Sequence, residues 1–104
     1  MYGTLVRFQP KPGQEQAVAQ LAERWIEKRG PKVDGFIAEY ALTPDDRPGE
    51  QLVLTLFESQ ESYRQNAQDP EQDSWYQELR SHLAADPEWT DGKIVSLKRE
   101  TVPL

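Results

Sequence analysis

Five of the six residues in Leu52-Val53-Leu54-Thr55-Leu56-Phe57 are large and apolar. A strand with one wet face alternates apolar and polar side chains. This one hardly does, so it is predicted to be a central strand covered on both faces. Weaker patterns lie around it. Tyr2, Thr4, Val6 and Phe8 share one face of a predicted first strand over residues 2–8, with Gly3, Leu5 and Arg7 on the other. Gln9 to Gly13 ends that strand, and Pro12 suits the first turn of a helix running to about Arg29. Along it Val18, Leu21, Ala22, Trp25 and Ile26 make one apolar stripe, and Gly30-Pro31 stops it. A second strand is predicted over 36–42, with Phe36, Ala38, Tyr40 and Leu42 on one face. Glu39 lies on the other, between Ile37 and Ala41. The turn-rich stretch from Thr43 to Gly49 joins it to the central strand as a hairpin.

Beyond the central strand, Ser59 caps a short helix reaching about Gln68. Asp69 caps the next, with Pro70 at its first position and Gln72 where a capping box places its reciprocal partner. This helix is predicted to run to about Ala85, with Trp75, Tyr76, Leu79, His82 and Leu83 on one broad face. Asp91-Gly92 reads as a turn and residues 93–98 as the last strand. The order strand, helix, strand, strand, helix pair, strand makes a ferredoxin-like α+β sandwich. It is a single domain over residues 1–104: a four-stranded antiparallel sheet with helices on one face. Helices cover that face only, yet the strands carry apolar residues on both. The bare face is expected to be sheltered by a second copy of the chain, as a two-fold homodimer with sheets facing each other.

Composition narrows the functional classes. A chain of 104 residues has room for one core. With 37% hydrophobic and 29% charged residues it reads as globular, and no apolar run approaches the roughly twenty residues of a membrane span. Met1 to Arg7 shows no basic region followed by an apolar one, so the expectation is a cytoplasmic protein with no membrane partner. The absence of cysteine removes thiol nucleophiles and disulfides, and a single histidine rules out a multi-histidine metal site within one chain. A net charge of −6 argues against a nucleic-acid partner.

Several stretches resemble a known family. They are Lys11-Pro12-Gly13-Gln14-Glu15 before the first helix, the run from Leu52 through Phe57-Glu58-Ser59-Gln60-Glu61-Ser62-Tyr63, and Asp69-Pro70-Glu71 ahead of an aromatic-rich helix. Together with the order of elements they resemble the antibiotic biosynthesis monooxygenase-like domains of the dimeric α+β barrel superfamily, over nearly the whole chain. The resemblance implies a homodimer with a pocket in each subunit between the sheet and its helices. In several members it also implies oxygenation of quinols or polycyclic phenols with neither metal nor flavin. Haem-degrading members use an Asn from the first strand with a Trp and a His from later helices. Here the first strand has no Asn, and Asn66 and Tyr76 stand at the Trp and His positions.

Cofactor-free oxygenation needs few parts: a deprotonated substrate that gives an electron to oxygen, a dry cavity, and a polar group that takes or steadies a proton. No cofactor is therefore expected. Tyr40, Tyr63, Trp75 and Tyr76 are the candidate walls for a small aromatic ligand, and His82 and Asn66 the candidate catalytic handles. His82 comes first because its ordinary pKa lies near neutrality. The competing expectation is a non-catalytic dimeric module in which the same aromatics are packing. An enclosed cavity of roughly 300 Å³ or more would separate the two.

Overall fold

The structure is a computed structural model and describes residues 1–95. Its elements are β1 (Tyr2–Phe8), α1 (Glu15–Arg24), β2 (Phe36–Leu42), β3 (Gln51–Phe57), α2 (Gln60–Ala67), α3 (Pro70–Ser81) and β4 (Glu88–Lys93). The sheet runs in the order β2-β3-β1-β4, and every neighbouring pair is antiparallel. The three helices lie on one face, so this is the ferredoxin-like α+β fold expected from the order of elements. The core forms where α1 and α3 meet the inner face of β1. Val6, Phe8, Val18, Leu21, Leu79 and Leu83 are buried together, with Val53, Trp75 and Tyr76 packed against them.

The predicted boundaries move in three places. Helix α1 starts at Glu15 rather than Pro12, because Gly13 takes a left-handed φ of +82° and the Gln14 N–H turns back to the Lys11 carbonyl. Its far end does not stop at a simple cap. Residues Trp25–Arg29 form a π turn in which the Gly30 N–H reaches the Trp25 carbonyl, and Gly30–Lys32 tightens into a 3-10 turn. Trp25 stays buried, while Ile26, at the edge of the apolar stripe, is exposed.

In β2 the pairing skips a residue. Phe36 opposes Phe57 and Ala38 opposes Leu56, so Ile37 is an extra residue in the ladder. This bulge moves Phe36 onto the inner face, where it meets Trp25 and Phe57 edge-on at 4.9 and 6.2 Å. Ala38, Tyr40 and Leu42 remain together on the outer face; simple alternation had grouped all four. At the other edge β4 lies five residues earlier than expected. Asp91-Gly92 is strand rather than turn, opposite Thr4 and Gly3. Cross-strand pairs hold it there, Thr4 with Asp91 and Arg7 with Glu88. Ile94 and Val95 follow the strand, and the rest of the predicted one, 96–98, lies outside the described residues.

Helix α3 ends at Ser81, and residues 82–84 pair back to the end of β1. The Lys11 N–H bonds the His82 carbonyl at 2.8 Å and the Ala84 N–H bonds the Gln9 carbonyl at 2.9 Å. This seals Leu83 completely from solvent.

The outer face has no helix on it. Three apolar rows cross it: Leu42, Leu52 and the stem of Arg7; Tyr40, Leu54 and Leu5; Ala38, Leu56 and Gly3. Leu5, Tyr40 and Leu42 are 40, 49 and 60% exposed. No helix among the described residues is long and apolar enough to cross a membrane.

Candidate functional site

Between the inner face of the sheet and the helices lies a cavity of about 560 Å³ that is partly open to solvent rather than enclosed. Its existence follows from the packing. β1 and β3 present Val6, Phe8, Val53 and Phe57, and the helices stand off from them on large aromatics, Trp25 and Trp75, which cannot fill a flat surface completely. Trp89 from β4 stacks obliquely on Tyr76, ring centres 6.1 Å apart, at the cavity's rim. The walls are therefore apolar and aromatic, and the polar groups in them are few and individually placed.

Three of those groups are carboxylates: Glu39, Asp91 and, more exposed on α3, Asp73. Glu39 projects from β2 onto the inner face and accepts a hydrogen bond from the Thr55 hydroxyl at 3.2 Å. Burial raises its carboxyl above the ordinary 4.5, and the Thr55 hydrogen bond works in the opposite sense. Asp91 accepts from the Thr4 hydroxyl at 2.6 Å and from the Tyr63 hydroxyl at 3.0 Å. Tyr63 is pushed up to about 12, first by burial and then by its bond to the Asp91 carboxylate. It is a fixed donor, not a base, across the physiological range. Asn66 and Gln72 supply the third polar region, on the helix side.

Four of the six residues expected from sequence line this cavity: Tyr63, Asn66, Trp75 and Tyr76. Trp75 is fixed by its indole N–H, which donates to the Leu21 carbonyl at 3.0 Å. The other two do not line it. The side chain of Tyr40 is on the outer face of the sheet, because strand alternation sets it opposite to its neighbour Glu39, which pairs with Thr55 on the inner face. His82 terminates α3 outside the cavity, its Nδ1 2.6 Å from Gln14 Oε1.

Sequence reasoning passed over Glu39, Asp91, Gln72 and Arg29. Glu39 had a signal, a lone carboxylate inside an otherwise apolar strand. Asp91 was masked by its turn-like neighbour Gly92. Gln72 was assigned to a capping box, but Asp69 caps α3 through the Glu71 N–H, and the Gln72 oxygen accepts instead from the Trp25 indole at 2.7 Å and Arg29 Nε at 2.9 Å.

A second groove, of about 430 Å³, runs outside the π turn along α3. It is open to solvent and bordered by paired surface charges, Arg24 with Glu78 at 3.0 Å. Among the described residues no group of three or more His, Cys, Asp or Glu side chains is arranged to hold a metal ion.

The sequence profile of the antibiotic biosynthesis monooxygenases matches residues 1–78. The chain belongs to this family. The matched residues carry β1 through most of α3, and so all of the cavity's lining except Leu79, Trp89 and Asp91. No curated protein matches the chain. Solved structures similar to it include a protein from Caulobacter crescentus named for the antibiotic biosynthesis monooxygenases. It is 13% identical, with a TM-score of 0.81, and the alignment covers 91% of this chain and 90% of that one. A conserved protein from Methanosarcina mazei is 19% identical at a TM-score of 0.76, covering 86% and 88%. A protein of unknown function from Nitrosomonas europaea is also 19% identical, at 0.75, covering 97% and 95%. At these identities the neighbours share the fold of the antibiotic biosynthesis monooxygenase family with this chain, and the chemistry has to be argued from the cavity.

Proposed function

We propose that this chain is a monooxygenase that oxidises a small, electron-rich aromatic of quinol or hydroxyanthrone type inside the cavity, using no cofactor. The observation that carries the reading is a carboxylate of raised pKa, Glu39, in an aromatic-lined cavity of about 560 Å³. That volume suits a two- or three-ring substrate. Tyr63, Trp75 and Tyr76 hold its ring faces, and Asn66 and Asp91 orient its oxygens.

Glu39 takes a proton from the acidic C–H or O–H of the substrate, and the resulting anion gives one electron to dioxygen. The substrate radical and superoxide combine through a new C–O bond. The peroxide then takes up a proton and loses water as the carbon gives up its second hydrogen and the O–O bond breaks. The balance is R₂CH₂ + O₂ → R₂C=O + H₂O, so no external reductant is consumed. Aromatic walls serve this chemistry by keeping water from the anion and the radical pair.

Oxygen uptake with a panel of hydroquinones and hydroxyanthrones tests the reading. One oxygen consumed per substrate, at rates well above the spontaneous reaction, is the expected result. Spontaneous rates with every compound would refute it.

The bare sheet face belongs to the same proposal. The Tyr40, Leu54 and Leu5 row and its neighbours form an apolar surface that a second copy, related by a two-fold axis, would cover with the same rows. Sedimentation equilibrium at micromolar concentration is expected to return twice the mass of the chain. Leu54→Glu, which sets a charge in the middle of the face without touching the cavity, is expected to return the monomer mass with the fold retained by circular dichroism. A wild-type monomer would contradict the assembly.

A further inference from the structure

Aromatic rings run in an unbroken string through the molecule. Centre to centre, Trp75 lies 6.4 Å from Trp25, Trp25 4.9 Å from Phe36, Phe36 6.2 Å from Phe57, Phe57 5.4 Å from Tyr63, and Tyr63 5.3 Å from Tyr2. Trp25, Phe57, Tyr63 and Trp75 border the cavity, whereas Tyr2 stands outside that wall and is partly exposed. The string therefore leads from the cavity to solvent. Packing accounts for the edge-on contacts in the core. It does not account for the polar end. Of the four tyrosines, Tyr63 is the one whose hydroxyl, among the described residues, donates to a carboxylate, Asp91 Oδ2 at 3.0 Å. Thr4 donates to the other Asp91 oxygen at 2.6 Å and fixes the carboxylate in place. Burial and that carboxylate push the Tyr63 phenol up to about 12, so at neutral pH it keeps its proton. A phenol that has lost an electron is a strong acid, and its proton then has an acceptor already within hydrogen-bond reach.

We propose that Tyr63 is a redox-active tyrosine that carries one-electron oxidation out of the cavity, with Asp91 as its proton acceptor and Tyr2 as its outlet to solvent. The oxidant is a peroxyl or indolyl radical formed at the cavity wall. It takes one electron from Tyr63 and becomes the peroxide or indole anion, which picks up a proton from water. The phenolic proton of Tyr63 passes to Asp91, leaving a neutral phenoxyl radical beside a carboxylic acid. Tyr2 then gives its electron to Tyr63 across the 5.3 Å contact and its own proton to water, and Asp91 returns the first proton to Tyr63. A thiolate or ene-diolate in solution supplies the electron that restores Tyr2. Phe36 and Phe57 are too hard to oxidise to hold the charge, and serve as the packed medium between Trp25 and Tyr63. The inference stands apart from the proposed function, because these contacts are the same whatever enters the cavity. Its use is to spare the wall from radicals that escape reaction there.

Pulse radiolysis with the azide radical, an oxidant that prefers indoles to neutral phenols, tests the proposal without any substrate. In wild type the indolyl absorbance is expected to decay in a first-order step, independent of protein concentration, while phenoxyl absorbance rises. Tyr63→Phe keeps the ring between Phe57 and Tyr2 but has no phenolic proton, and is expected to lose that step or slow it severalfold. Asp91→Asn keeps Tyr63 and removes its proton acceptor, and is expected to slow the step severalfold. Tyr2→Phe is expected to keep the step but to leave a radical that added ascorbate quenches severalfold more slowly. All three are near-isosteric, and circular dichroism checks that each retains the fold. Tyr76 is the rival acceptor, since its ring lies 6.1 Å from Trp89. An undiminished step in Tyr63→Phe, its loss in Tyr76→Phe instead, or a wild-type rate in Asp91→Asn would overturn the proposal. Wild-type quenching in Tyr2→Phe would overturn the outlet. None of these results depends on whether a quinol is oxidised, so their failure is distinct from failure of the oxygenase reading.

Discussion

With a hydroxyanthrone as substrate, Glu39→Gln is expected to consume oxygen at about a hundredth of the wild-type rate or less, the loss typical of removing a positioned general base. The substitution is nearly isosteric, and its amide oxygen can still accept from the Thr55 hydroxyl, so cavity shape and affinity should survive. The loss is expected in kcat with KM little changed. His82→Ala, at a side chain outside the cavity, serves as the comparison and is expected to keep the wild-type rate. If Glu39→Gln keeps it too, the base is another group and the proposed proton transfer is wrong.

The same variant has a stability signature whose sign follows from the raised pKa of Glu39. A carboxyl whose folded pKa lies above its unfolded value stabilises the fold fully below the ordinary 4.5, and that contribution is lost as pH rises through the folded value. The native state must then ionise a carboxyl whose burial disfavours the charge. Gln has no proton to lose. Glu39→Gln is therefore expected to melt above wild type at pH 7.5 and level with it at pH 4. A variant that is less active yet more stable at neutral pH is what a functional carboxylate in an apolar wall produces.

Phe57→Ala is expected to destabilise the chain by about 3–5 kcal/mol. Phe57 is 2% exposed and sits where three elements meet. Its ring lies edge-on to Phe36 at 6.2 Å and to Tyr63 at 5.4 Å, and its face borders the cavity. Removing it opens new volume beside one already present, so the surroundings have little left to collapse onto. Against a total stability of about 5–15 kcal/mol for a domain of this kind, that is a large share. Urea denaturation should show the midpoint falling sharply, with Phe57→Leu losing about 1.5 kcal/mol or less. Equal effects of Ala and Leu would mean that ring packing at this junction is not what holds the sheet to α2.

How much of this was legible in the sequence depends on what each residue's pattern could encode. The order of elements, the central place of β3 and the two-helix return followed from hydrophobic periodicity and from Ser59, Asp69 and Pro70, because those signals are local. The bulge at Ile37 was not legible, since one inserted residue leaves composition unchanged while reversing the face of everything on one side of it. It carried Phe36 inward and left Tyr40 outside. β4 was misplaced because its residues are polar; pairing to β1 through Asp91 and Glu88, far away in sequence, decides its position. Trp75, Tyr76, Tyr63 and Asn66 were found because aromatic and amide residues near an apolar helix face end up at a helix–sheet boundary. Arg29 and Gln72 could not be, since their role lies in a contact across 43 residues of chain. His82 looked right by residue type, and one missing turn of α3 put it outside.

The central claim is that the cavity between sheet and helices is where this chain meets its substrate. The most direct measurement is a crystal structure grown anaerobically with 1,8-dihydroxy-9-anthrone. The account predicts the tricyclic ring system between Trp25, Trp75 and Phe57, with a hydroxyl toward Glu39 or Asp91 and the ketone oxygen toward Asn66. A cavity filled by its own side chains, with the anthrone elsewhere on the molecule or not bound at all, would contradict it.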